Sequence, residues 1–307
     1  MLFLAIFIFF VLSASVLFAP RDFPTSTVFT VNKGTGLSAL SADLAKNNII
    51  KSPFWFKVFS VLTGGTKGIK SGDYALKDKE GVMSIAYRIS KGDFRLVPIK
   101  LTIPEGLNIF EIGKLVAKNF SKISEKDFIE QSKKDEGYLF PDTYLFLPNI
   151  SVVDIIPVLK SNFDKRIATI KNEITNYKKP LADIIKLASI VEEEARTTES
   201  RKVVAGILWK RLALNMPLQV DSSFKYINGK GTAELTLADL KIDSPYNSYL
   251  YKGLPPTPIA NPGLDSILAT VTPTKTDYLY FLTDKEGDMH YARTYAEHLQ
   301  NKELYLK

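Results

Sequence analysis

Cysteine is absent from the 307 residues, so the chain can form neither a disulfide nor a thiolate metal site. Histidine is nearly absent: His290 and His298 stand eight residues apart, which is not the spacing of a zinc-binding pair, and no metal is expected. No glycine- or serine-rich phosphate cup accompanies a pocket lysine, so a pyridoxal-phosphate enzyme is disfavoured and no cofactor is expected. There is also no concentrated basic stretch, which argues against nucleic-acid binding.

Charge is present but unevenly spread. From Leu181 onward there are 15 Lys or Arg against 16 Asp or Glu, which leaves 25 against 17 in residues 1–180 out of totals of 40 and 33. The basic excess therefore belongs to the N-terminal part, where it suits an anionic lipid or polymer surface. A Lys-rich solvated surface explains it equally well. Charge-free runs are scarce, and the longest opens the chain: MLFLAIFIFFVLSASVLFA, Met1–Ala19. At about 1.5 Å per residue this run spans a hydrocarbon core of roughly 30 Å. Pro20 follows poorly after a cleavage site and the run exceeds a signal-peptide core, so a retained anchor over residues 1–19 is expected. Arg21 and Lys33 follow the run and no basic residue precedes it, which opposes the positive-inside bias for a chain whose body lies outside.

Beyond the anchor the pattern is α+β. VFTV reads as a strand, NKGTG as a turn, and LSALSADLAKNNII as an amphipathic helix. PFWFKVFSVLTGG reads as a second helix, KSGDYAL as a turn entering a strand, and GVMSIAYRIS as a short helix. Together they make a small module over residues 22–95. LVPIKLTIPEG begins a second α+β piece, which runs on through a helical linker over residues 96–179. Pro180 marks the start of the next helix, and with it a mixed α+β domain over residues 180–307.

That helix carries the candidate chemistry, ASIVEEEART, Ala188–Thr197. With Ala188 at zero and about 100° per residue, Leu181, Ile184, Ile185, Val191 and Ala195 cluster within about 60° of it. On the same wheel Glu192 falls at about 40°, Glu193 at about 140° and Glu194 at about −120°. Glu192 thus shares the apolar face, where a desolvated carboxyl holds its proton and can act as a general acid. Glu193 and Glu194 read as solvated. A fraying last turn that frees Glu192 to solvent stands level with burial on periodicity alone.

Further motifs give these acids a context. ASIVEEE (188–194), KRLALNMPLQVDSS (210–223), SPYNSYLYKGLPPTPIANPG (244–263) and YLYFLTDKEGDMHY (278–291) occur in the order of the MltG (YceG-like) endolytic murein transglycosylases, which the chain resembles. TIPEG (102–106), EGYLFPDTY (136–144) and the N-terminal apolar run are also similar to that family. The resemblance implies that residues 22–95 form a LysM-like module and that 180–307 is the catalytic domain. It further implies a single-pass enzyme of the bacterial cytoplasmic membrane with an extracytoplasmic catalytic part, cutting MurNAc–GlcNAc bonds of nascent glycan strands to 1,6-anhydroMurNAc ends near the peptidoglycan synthases, the penicillin-binding proteins. The family's catalytic glutamate, carried over as the one after the Ile-Val pair, is Glu192.

The same resemblance implies substrate contacts from Gln219, Asp221 and Ser223, from Tyr246, Asn247 and Tyr249, and from His290. Without it, LQVDSS is as well read as a polar strand end, SPYNSY as a turn, and His290 as a surface residue. Lys210 stands where the family has Asn, Ser223 and Ser248 replace Thr, and Thr257 replaces a usual Gly. The rival from a different class is a membrane-anchored glycan-binding scaffold without catalysis.

Overall fold

The alternation in TVFTV and GDYAL sets up the first piece of the fold. In the computed structural model, which describes residues 15–64 and 69–306, Thr27–Val31 and Gly72–Leu76 pair antiparallel, from Thr27 opposite Leu76 to Val31 opposite Gly72. Helices Leu37–Lys46 and Pro53–Gly64 lie between the strands in sequence, and Val82–Lys91 follows. All five elements match those read from the sequence. Their apolar positions converge on one core, with Leu40 and Leu44, Phe56, Tyr74 and Ile85 among its buried members. Arg88 is buried in it as well. Its guanidinium meets Glu80 Oε1 at 2.5 Å and donates to Ala75 O at 2.8 Å, so its charge is matched and its donors are used.

The chain divides into two compact units: residues 1–99 with 147–149, and residues 100–146 with 150–307. The second α+β piece expected over 96–179 therefore belongs largely with the C-terminal part, and Pro180 separates no compact units. The expected anchor, Met1–Ala19, lies mostly outside the described residues. Among those described, no helix is long and apolar enough to cross a membrane.

The second unit is mixed α+β, with small two-stranded sheets among its helices. Strand Ile99–Thr102 pairs with Thr143–Phe146, and hairpin Tyr280–Thr283/Met289–Ala292 is antiparallel, with Leu282 opposite His290. Helix Ile109–Asn119 starts at a capping box, in which Asn108 and Glu111 each satisfy the other's backbone N–H.

At the centre lies helix Leu181–Glu194. Pro180 caps its start, and Ile184, Ile185, Leu187, Ala188, Ser189, Ile190 and Val191 are all buried. Two apolar clusters grip it from different sides. One contains Ile184, Ile185 and Ala188 with Phe163 and Ile267; the other contains Leu187, Ile190 and Val191 with Val204, Leu208 and Leu218. Each buried Leu or Ile contributes roughly 1.5–3 kcal/mol, far above the few tenths set by helix propensity, so packing fixes this helix. Its apolar surface runs around the cylinder, and the wheel's single face does not describe it.

Candidate active site

The C-terminal turn of the central helix delivers three glutamates into three different surroundings. Glu192 ends in an ion pair: Oε1 accepts from Arg201 Nη2 at 2.5 Å and Oε2 from the Gly263 N–H at 2.8 Å. Its side chain is only 5 % exposed, and Arg201 is held in turn by Asp265 at 2.7 Å. Thr198 also donates to Asp265 at 3.1 Å, which ties the start of helix Thr198–Ala213 into the same network. Both Glu192 oxygens are thus engaged within the protein.

Glu193 and Glu194 do not lie on the solvated face expected of them. Glu193, 18 % exposed, meets Lys225 Nζ at 3.3 Å, and Lys225 also reaches Glu111 at 3.3 Å. Burial pushes the Glu193 carboxyl above its ordinary range, and the Lys225 charge opposes that rise. Gly106 permits this packing: its φ of +80° suits glycine, and a Cβ there would stand 2.4 Å from Glu193 Oε1. Among the described residues Glu194 makes no ion pair, and it accepts from the Ser222 N–H at 3.3 Å. Burial pushes its pKa up to about 7; the Ser222 contacts oppose the rise, and the charges of Asp221 and Glu193 add to it.

A cleft of about 970 Å³ opens beside these acids, and Glu193, Glu194, Gln219, Asp221 and Tyr249 line it, whereas Glu192 does not. The segments around LQVDSS and SPYNSY come together there. Gln219 N donates to Ser248 O at 3.0 Å, and Val220 N to Ser248 Oγ at 2.9 Å, so the hydroxyl retained at Ser248 laces them. Tyr249 Oη donates to Asp221 Oδ1 at 2.6 Å, and Gln219 Oε1 accepts from Arg211 Nη2 at 2.6 Å.

The remaining expected contacts go elsewhere. Ser223 is buried at the start of helix Ser223–Asn228. Asn247 is fully buried, donating to Leu240 O and Ile242 O and accepting from Tyr249 N, so both donors of its amide are spent in building the turn and burial keeps its oxygen from an acetamido group. Tyr246 packs against Tyr226 with centroids 4.8 Å apart and planes tilted by 43°, and its hydroxyl bonds Thr257 Oγ1 at 2.9 Å. His290 pairs with Asp284 at 2.7 Å and stacks on Tyr305 at 3.5 Å. Strand alternation explains its absence from the cleft: Met289 and Tyr291 line it, and the side chain between them points to the other face. The histidine that does line the cleft is His298.

Behind the acids the three loop motifs are knotted together. Asn261 accepts from Leu139 N at 2.8 Å and donates to Leu107 O at 2.9 Å and to Glu136 Oε1 at 2.9 Å. Burial pushes Glu136 up to about 8, and its other oxygen accepts from Ile109 N at 3.0 Å. The knot brings the NPG loop against the PEG turn, which positions Gly263 over Glu192.

A cleft of mixed charge at the carboxyl end of a buried helix, walled by Gln, Asp and Tyr, is the kind of site that takes a polar polymer. The profile of the YceG-like family matches residues 29–304, and the chain belongs to that family. An endolytic murein transglycosylase of Bacillus subtilis strain 168 is 33 % identical over 93 % of this chain and 86 % of its own length. A protein of the same name from Streptococcus pneumoniae is 30 % identical over 92 % of this chain and 59 % of its own length. A crystal structure of a YceG-like protein from Listeria monocytogenes superposes with a TM-score of 0.60 at 29 % identity, covering 89 % of this chain and 98 % of that one.

Proposed function

We propose that the chain is a peptidoglycan lytic transglycosylase and that Glu194, in place of Glu192, is its acid and base. The observation that carries this is Glu194 itself, a cleft-lining carboxyl that has no ion pair among the described residues and whose pKa of about 7 keeps it substantially protonated near neutral pH. Glu194 donates its proton to the glycosidic oxygen as the C1–O bond breaks, and positive charge develops at C1. The substrate's own acetamido group stabilises that charge, so no second carboxylate nucleophile is required. The Glu194 carboxylate then takes the C6-hydroxyl proton, and O6 bonds C1 to close the 1,6-anhydro ring without consuming water. Asp221 and Tyr249 line the same cleft and supply polar contacts to the sugar.

Substrate class follows the relatives' activity: glycan strands of murein, cut internally at MurNAc–GlcNAc bonds. Met1–Ala19 serves as a membrane anchor with the catalytic part outside, beside the synthases that extend the strands. The strand–helix–helix–strand order of residues 27–76 supports reading the first unit as LysM-like.

The test is a comparison of Glu194→Gln with Glu192→Gln on purified glycan strands, with anhydro ends scored by mass spectrometry. Glu194→Gln loses activity by about a thousandfold or more. Glu192→Gln leaves Arg201 short of a countercharge and acts first on stability, lowering the melting temperature by an amount equivalent to about 2 kcal/mol. Full activity in Glu194→Gln would remove the assignment, and reducing ends that incorporate water would make the enzyme a hydrolase.

A further inference from the structure

Two side chains of helix Tyr295–Tyr305, His298 and Lys302, stand one turn apart, and both line the cleft. The His298 ring stacks on Tyr280 with centroids 5.4 Å apart and planes at 24°. Its Nδ1 is buried without a hydrogen-bond partner. A buried N–H without an acceptor costs more than a buried lone pair, so the ring proton belongs on Nε2, which forms no hydrogen bond among the described residues. Burial first, then the charges of Lys302 and Arg211, pushes the imidazole below its ordinary pKa, which leaves a neutral ring with one outward donor.

The charge around this ring is of one sign. Lys302 makes no ion pair among the described residues. Arg211 is committed to Gln219 and to the carbonyls of Pro217 and Leu279, with its guanidinium 5.3 Å from the Tyr280 centroid. Glu194, by contrast, feels the negative charges of Asp221 and Glu193. One cleft therefore holds a proton-retaining carboxyl among acids and, separately, a neutral imidazole donor among cations. A sugar hydroxyl or acetamido group would satisfy the imidazole and leave Lys302 without a countercharge; a carboxylate satisfies both.

We infer that His298 and Lys302 form a carboxylate-binding subsite that receives the peptide stems borne by the glycan strand, with Lys302 supplying the charge and the His298 Nε2–H the hydrogen bond. This rests on the reading of the cleft as a glycan site. It makes the enzyme selective for strands that still carry their peptides.

The test uses the full chain in detergent with the Glu194→Gln substitution, so that bound strands stay intact. Affinity is measured for peptide-bearing strands and for the same strands stripped of peptide by an amidase. The Glu194→Gln chain binds the peptide-bearing strands about tenfold more tightly, and added salt erodes the difference. Adding Lys302→Gln, or His298→Phe, which keeps the stack on Tyr280, brings the ratio to about threefold or less; Lys302→Arg retains it. Melting temperatures confirm that each variant is folded. Equal affinity for both strands before the added substitutions, or an unchanged ratio in both Lys302→Gln and His298→Phe, overturns the subsite. Anhydro ends formed by the unsubstituted chain report separately on the lyase reading.

Discussion

At the scale of single residues, the three adjacent acids divide by partner. Glu192 is neutralised by a guanidinium, Glu193 by an ammonium, and Glu194 by its own proton. The last arrangement leaves a proton to give, and it carries a pH signature. A reaction that begins with protonated Glu194 loses rate as pH rises through about 7. Burial sets most of that value and Asp221 adds to it, so Asp221→Asn removes a nearby negative charge and lowers the Glu194 pKa. The alkaline limb of the pH–rate profile then moves to lower pH, while Asn still accepts from Tyr249. A limb that stays in place would show that Asp221 does not act on Glu194.

At the scale of elements, the sequence displayed the strands and helices well and the acid poorly. Every element of the first unit was legible because apolar spacing there has one period per element and one buried face. Helix Leu181–Glu194 was equally legible as a helix, but its orientation was not. A wheel centred on Ala188 discounts Leu187 and Ile190, which point away from it; those two residues pack against Val204 and Leu208 and define a second buried side. Glu194 follows that second side into the structure. The family motifs point to this helix and these loops and, carried over residue by residue, to Glu192; the acid proposed from the geometry, Glu194, lies two residues further along. Asn247 and His290 have other engagements for another reason: hydrogen-bond use and strand facing are decided by tertiary partners, Leu240 and Ile242 for the one and Asp284 for the other. Asn261 gave no chemical signal at all, yet it ties three loops. Asn261→Ala leaves the Leu139 N–H and the Glu136 carboxyl without their partner and costs about 3 kcal/mol, read as a lowered denaturation midpoint with unchanged slope.

At the scale of the whole molecule, each unit has a core of its own, and each core encloses a matched charge. Arg88→Ala takes from Glu80 its buried partner, leaving it only the half-exposed Arg95 at 3.3 Å and the Ser84 hydroxyl, and costs that unit about 3 kcal/mol. Hydrogen exchange checks the locality: amides of Thr27–Val31 and Val82–Lys91 lose protection, and those of Leu181–Glu194 keep it. Equal loss in both would make the two cores one cooperative system. The central helix of the second unit brings a different kind of tension. Its last turn holds three acids and no basic residue, although the carboxyl end of a helix carries partial negative charge and favours cations. The helix dipole therefore works against every one of these glutamates, and among the described residues Glu194 is the one without an ion pair to offset it. Its folded pKa of about 7 lies above the ordinary 4.5, so the folded state holds a proton that the unfolded chain has released. The stability this provides is complete below about 4.5 and is lost as pH rises through about 7. At pH 8 Glu194→Gln is consequently the more stable protein, by up to about 3 kcal/mol, as calorimetry of the two at pH 5 and pH 8 would register. The residue that a stability screen would discard first is the one proposed to carry the chemistry.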